Sequence, residues 1–227
     1  MPLEIACFNL SSAITALSSG VDRIEFCSGA SVGGLTPLKS DFQSLLQHRK
    51  SLLGHSIPIN IMIRPRGGDF LYTDAEFDLM KTFLTEFSNL GADGFVFGIL
   101  TPQGEVDEQR CRELVILAAG KPCTFHRAFD QIDNKLLALE GLVRCGFASV
   151  LTAGGEDVVV GRSVLRELVV AAKGRIEIMP GGGVRSRNLK EVKMEVKADW
   201  WHSSAIVDGS EEADAEEVRR LKRLVDE

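Results

Sequence analysis

The chain has one tyrosine, two tryptophans and 7% aromatic residues in all, and none of its five cysteines forms a C-x-x-C pair. Cys7, Cys27, Cys111, Cys123 and Cys145 are odd in number and scattered, which excludes a disulfide framework and a zinc knuckle and fits a reducing compartment. No window approaches the ~18 consecutive apolar residues of a membrane span, so no membrane partner is expected. The start, Met1-Pro2-Leu3-Glu4, has neither the basic residues nor the apolar run of a secretory signal, which makes the cytoplasm the expected location. Positive charge is scarce too. Twenty-six Lys and Arg against 32 Asp and Glu give a net charge of −6, the wrong sign for a protein held by nucleic-acid phosphates. Any anion site must therefore be local. The turn after Cys7 lacks the G-x-G-x-x-G fingerprint of dinucleotide-binding folds, and no organic cofactor is indicated.

What is present is a repeat. With 44% hydrophobic and 26% charged residues, 227 residues suffice for one core and one domain over 1–227. Short β-branched or aromatic runs at 21–26, 57–63, 94–97, 123–125, 149–151 and 175–179 each follow a glycine: Gly20, Gly54, Gly91, Gly120, Gly146 and Gly174. Successive glycines lie 26 to 37 positions apart. Runs at 3–7 and 199–202 bring the predicted strands to eight.

Between them the apolar residues follow a helical period. Phe77, Met80, Phe83, Leu84, Phe87 and Leu90 line one predicted helix, opened by the capping-box pattern Thr73-Asp74-Ala75-Glu76. Leu136, Leu139 and Val143 line another, and Val218, Leu221, Leu224 and Val225 the last. The acidic stretch 211–217 reads as the first turn of that last helix, where carboxylates suit the helix dipole. Eight β-then-α units predict an α/β fold, a single-domain (β/α)8 TIM-type barrel, slightly shorter than the usual ~250 residues. A doubly wound open sheet would normally use fewer strands.

Such barrels carry their sites at the C-terminal ends of the strands. Arg64, Arg66 and Arg127 follow strands three and five and suggest a bound anion, since the guanidinium fork matches carboxylate and phosphate. Gly181, Gly182 and Gly183 precede a helix near Val184 and would present backbone N–H groups to the same anion. Thr152, His202 and Ser203 close strands six and eight and join this set. The alternative is a structural ion-pair network of these arginines with Glu4, Glu25, Asp69 and Asp130. His126, beside Arg127, is the candidate proton carrier, with Glu25 or Glu4 to orient it, a hydrogen-bonded structural imidazole being the alternative, and His202 at the end of strand eight has similar standing. His48 reads as a solvated helix position and His55 as a turn. Cys27, at the end of strand two, is the thiol placed to reach the mouth, where it and a neighbouring Cys, His or Met would suit Cu(I); a packed small hydrophobe is the plainer alternative. Cys111 and Cys145 fall in helices and read as packing.

Several blocks resemble the CutC copper homeostasis protein family: Asp22-Arg23-Ile24-Glu25-Phe26-Cys27, Gly33-Gly34-Leu35-Thr36-Pro37, the run from Met62 to Phe70 through Arg64-Pro65-Arg66-Gly67-Gly68-Asp69, Gly94-Phe95-Val96-Phe97-Gly98, Thr124-Phe125-His126-Arg127-Ala128-Phe129-Asp130, Leu151-Thr152, Met179-Pro180-Gly181-Gly182-Gly183 and His202-Ser203-Ser204. The resemblance covers nearly the whole chain. It implies a TIM-type barrel, a cytoplasmic homo-oligomer (dimer or tetramer), and a role in copper homeostasis with Cu(I) bound through cysteine, here Cys27 with Cys7. One departure bears on that pair. Family members commonly have Glu-Val-Cys in strand one, whereas here Glu4-Ile5-Ala6-Cys7 sets the cysteine one residue later, which turns its side chain to the other face of a regular strand. The segment after Ser204 is also shorter than is common, which would open that side of the mouth. Two functional readings follow: copper handling at Cys27, or an enzyme acting by acid–base chemistry on a small phosphorylated or carboxylated metabolite. A non-catalytic oligomeric binding protein is the third, expected if salt bridges plug the mouth.

Overall fold

The structure, a computed structural model, describes residues 1–51 and 57–227. Eight strands alternate with eight α-helices among the described residues. The strands are β1 (Leu3–Cys7), β2 (Arg23–Phe26), β3 (Ile59–Met62), β4 (Gly94–Phe97), β5 (Cys123–Phe125), β6 (Ser149–Thr152), β7 (Glu177–Pro180) and β8 (Trp201–Ser203). The helices are α1 (Leu10–Ser18), α2 (Lys39–Ser51), α3 (Asp74–Leu90), α4 (Glu108–Leu117), α5 (Lys135–Cys145), α6 (Arg162–Ala172), α7 (Ser186–Val196) and α8 (Ala215–Asp226). Consecutive strands pair in parallel from β1 to β7, and β8 pairs with β1, in register Glu4↔His202. Strands β7 and β8 lie against each other at the seam. The result is the expected TIM-type barrel. Gly54 and His55 lie outside the described residues.

Period-two alternation along the strands sorts the side chains into two layers. Ile5, Ile24, Phe26, Phe95, Phe97 and Phe125 turn outward into the main core under the helices. The opposite face carries polar groups that are almost fully buried: Glu4, Glu25, Asn60, Thr124, Ser149 and His202. Barrel interiors are ordinarily filled by branched aliphatic side chains, so this polar lining sets the barrel apart and positions its chemistry.

Local sequence signals account for the helix ends. The Thr73 hydroxyl accepts from Glu76 N–H and the Glu76 carboxylate accepts from Thr73 N–H, the predicted capping box. Gly91 and Gly146 cap α3 and α5 at φ of 98° and 88°, a left-handed conformation that costs glycine nothing. Three expectations need correction. Leu136 is exposed, because α5 buries Ala138, Leu139, Leu142 and Cys145 instead. His48 is half-buried and its Nε2 has no partner among the described residues. Only Glu216 and Glu217 of the acidic stretch belong to the first turn of α8, which Asp214 caps, and Glu217 bonds Ser186 at the start of α7.

Candidate active site at the barrel mouth

A cavity of about 650 Å³ opens at the C-terminal ends of the strands, a size suited to a small metabolite. Its floor is a chain of charged groups. His202 Nδ1 lies 2.8 Å from Glu4 Oε1, and His202 Nε2 lies 3.4 Å from Glu25 Oε2. The other oxygen of Glu4 accepts from Arg23 Nε. Arg23 in turn stacks on Trp200 at 3.8 Å and donates to Met179 Sδ. Register explains the assembly: pairing of β1 with β8 sets Glu4 beside His202, and Arg23 and Glu25, two residues apart on β2, share its inner face. Gly181 makes room, since a Cβ there would fall within 3.0 Å of His202 Cδ2.

These groups divide the charge unequally. Burial pushes the Glu4 carboxyl up, but Arg23 and the hydrogen bond from His202 outweigh it and bring it down to about 2. For Glu25, burial dominates; the His202 charge opposes it, the Glu4 charge reinforces it, and the carboxyl is pushed up to about 7. Burial acts to lower the His202 imidazolium, yet the Glu4 hydrogen bond and both carboxylate charges raise it above the ordinary histidine value. At neutral pH, Glu4 is therefore ionised and Glu25 at the point of titration, while His202 holds its proton more tightly than an ordinary histidine. Glu25 lines the cavity, and its Oε1 has no partner among the described residues. The three ligand atoms of Glu4, Glu25 and His202 lie within 4.8 Å of one another, but both oxygens of Glu4 are committed to Arg23 and His202. A proton relay describes the trio better than a metal cage.

The structure separates the other predicted residues. Glu4 and Glu25 orient His202, not His126: the Nδ1 of His126 accepts from Ala128 N–H at 3.2 Å, and its ring packs on Phe70 with centroids 4.8 Å apart. Burial, then the charge of Arg64, pushes His126 down to about 3, so its neutral form is favoured at pH 7. Of the three arginines, Arg64 and Arg127 line the cavity while Arg66 is drawn outward by Glu76 and Asp69, at 2.6 and 2.9 Å. The ion-pair alternative thus holds for Asp69 and for Asp130, which binds Arg127 at 2.7 Å, but not for Glu4 or Glu25. Thr152 is fully buried and braces Asp130 through its hydroxyl. Gly182 and Gly183 line the mouth with Ser203, and a Cβ on Gly182 would fall 2.7 Å from Arg127 Cζ, so the glycine lets that guanidinium lie over the loop.

Cys7 and Cys27 do not converge. Cys7 packs in the outer core under the helices, whereas Cys27 sits on the inner face with Met62, Val96 and Phe8. The cause is the alternation itself: Cys7 is the register partner of Phe26, an outward residue, and Cys27 follows one step later. Burial, followed by the charges of Glu25, Cys7 and Glu4, pushes the Cys27 thiol well above its ordinary value.

Arg185 and Met62 of the cavity lining, and Arg23, which reaches the Glu4 carboxylate, escaped the sequence reading. Arg185 lies two residues after Gly183, and its guanidinium bonds Ser204, Ser203 and the Ile206 carbonyl. Its place directly after the glycine loop was the available signal. Arg23 shares the period-two face of Glu25. Met62 shares that of Arg64, two residues along β3 and its continuation. No helix among the described residues is long and apolar enough to cross a membrane.

Comparison with known proteins agrees with this fold and these blocks. A CutC from Streptococcus agalactiae of known structure superposes with a TM-score of 0.84 at 31% identity, over 90% of this chain and 98% of that one. The human copper homeostasis protein cutC homolog is 42% identical over 204 residues, 89% of this chain and 72% of its own length. A CutC family protein of Serratia proteamaculans is 39% identical over 204 residues, 89% of this chain and 78% of its own. The model of the CutC family matches residues 1–207, and this chain belongs to that family.

Proposed function

We propose that the protein serves copper homeostasis, as the names of its human and mouse relatives say of them, and that its barrel mouth is an enzymatic site where Glu25 exchanges a proton with a small anionic metabolite. The observation that carries the enzymatic reading is the Glu4–His202–Glu25 chain at the cavity floor. General acid–base catalysis works best with a group that titrates near the working pH, and Glu25 is held there at about 7. Glu4 and Arg23 keep the His202 ring in place beneath it. Arg127, half-exposed at the mouth, and the Gly182–Gly183 backbone supply a cradle for a carboxylate or phosphate. A thermal-shift screen against phosphorylated and carboxylated metabolites tests this. A ligand at about 100 times its Kd adds about 2.7 kcal/mol of stability and raises Tm by about 5–10 °C. Hits should weaken in Arg127→Ala; a broad panel without hits contradicts the reading.

A specific observation favours a second use of the same barrel. Cys27 and Met62 are two soft sulfur donors packed together on the inner face, and Cu(I) accepts low coordination by such ligands. Copper would be cargo, taken up as Cys27 loses its proton. Anaerobic Cu(I) titration is expected to lose its tight equivalent in Cys27→Ser and to keep it in Cys7→Ser. Equal loss in both variants would restore the two-cysteine site that the strand alternation argues against.

A further inference from the structure

The acid–base reading leaves two buried donors on the cavity wall unused. Arg64 is 4% exposed, and its two Nη atoms donate to the carbonyls of Val32, Gly34 and Gly68, tying together the loops after β2 and β3. Its Nε has no acceptor, and no carboxylate reaches it among the described residues. A buried cation without a counter-ion is unfavourable unless a ligand supplies the negative charge. His126, likewise 4% exposed, accepts from Ala128 N–H at Nδ1, so the neutral ring must carry its hydrogen on Nε2. That Nε2 is buried and has no partner either. Phe70 links the two, with its ring 4.8 Å from the His126 ring and 4.8 Å from Arg64 Cζ. Gly98 secures the histidine, because a Cβ there would fall 2.6 Å from His126 Nδ1. Glu25 on β2 and His126 directly after β5 stand three strands apart around the barrel and line the same cavity.

We propose that His126 is the electrophile of this site, donating Nε2–H to a carbonyl oxygen of the ligand, with Arg64 supplying positive charge beside it and Glu25 facing the carbon next to that carbonyl. This deepens the proposed acid–base reading and stands on geometry, two buried donors without partners, Arg64 Nε and His126 Nε2, on the wall of the cavity that Glu25 also lines; it names the substrate class: a small carbonyl compound, itself anionic, with a C–H bond adjacent to the carbonyl. In the step, the Glu25 carboxylate takes the proton from that carbon. The C–H electron pair becomes a C=C bond, and the carbonyl π pair moves onto oxygen, where His126 and Arg64 stabilise the enolate. Return of the proton to carbon reverses each movement, so no oxidant, reductant or co-reactant is needed. A neutral imidazole suits this task, since it polarises the oxygen without handing over a full proton.

Oxalate, a planar dianion that mimics an enolate of this class, is the probe. In ¹⁵N–¹H spectra of the whole protein, His126 is expected as the neutral Nε2–H tautomer from pH 5 to 8, and oxalate should move that proton downfield. Oxalate affinity is expected to fall about tenfold in His126→Phe, the loss of a hydrogen bond to a charged ligand, and not to fall in Glu25→Gln, which removes a like charge facing the dianion. A cationic or Nδ1–H ring, a proton unmoved by oxalate up to its solubility limit, or undiminished affinity in His126→Phe overturns the proposal. None of these outcomes touches the titration of Glu25, so the acid–base reading stands or falls separately. The wild-type spectra decide the matter even if His126→Phe does not fold.

Discussion

Glu25→Gln is expected to lower turnover of the metabolite bound at the barrel mouth by about 10²- to 10⁴-fold, the usual worth of a positioned acid–base group, with little change in its Kd. The amide keeps the shape of the side chain but can neither take nor return a proton. Wild-type kcat/KM should rise with pH through about 7 as the Glu25 carboxyl ionises, and that limb should vanish in the variant. A stability effect of opposite sign accompanies the loss. The folded carboxyl titrates at about 7 against 4.5 for the ordinary group, so the native state holds a proton that the unfolded chain has released. The stability contributed by that proton is complete below pH 4.5 and is lost as pH rises through 7, a difference of about 3 kcal/mol. At pH 8 the inactive Glu25→Gln is therefore expected to resist denaturant better than the wild type, the trade of stability for activity common at catalytic groups. Denaturant titrations at pH 5 and pH 8 read this directly; a variant less stable than wild type at pH 8 would contradict it.

Glu4→Ala is expected to be the most destabilising single change at the site. Glu4 is fully buried and lies between Arg23, which is partly buried, and the buried His202. Removing one member of a buried ion pair leaves uncompensated charge and costs about 3–5 kcal/mol, or a fall in Tm of about 10 °C for a chain of this size. His202 then loses the hydrogen bond that raises it, and burial, which acts the other way, drives off its proton. The effect depends on pH. Glu4 is held at about 2 against an ordinary 4.5, so its contribution is complete above pH 4.5 and is lost as pH falls through 2. Wild type and Glu4→Ala should differ most at pH 7 and converge toward pH 2. Glu4→Gln, which keeps the volume, should recover packing but not the charge, and equal stability of Glu4→Gln and wild type at pH 7 would remove Glu4 from this role.

The barrel was legible because each of its units repeats the same physics. The runs 3–7, 94–97 and 123–125 coincide with β1, β4 and β5 at both ends, whereas 21–26 and 57–63 overrun β2 and β3. Apolar character marks burial, and Val21, before β2, and Ile63, after β3, are buried outside the ladders. Strand-end reasoning named Glu25, Arg64, His126 and His202 as site residues but assigned the carboxylates to the wrong histidine. The pairing depends on closure of the barrel between β1 and β8, which sets Glu4 beside a residue 198 positions away. No local pattern encodes that register. Arg66 sits in the same block as Arg64, but Glu76, ten residues on at the start of α3, draws it outward. The separation of Cys7 from Cys27, in contrast, was readable from one residue of strand phase.

The central claim is that the barrel mouth holds a carboxyl poised to titrate at neutral pH. It is tested most directly by following the side-chain carboxyl ¹³C resonances of ¹³C-labelled glutamate in the whole protein from pH 3 to 9. Two glutamates, Glu25 and Glu177, are expected with midpoints of about 7, and the loss of one of them in Glu25→Gln is the result the relay predicts. A Glu25 resonance that titrates at the ordinary 4.5 would contradict it.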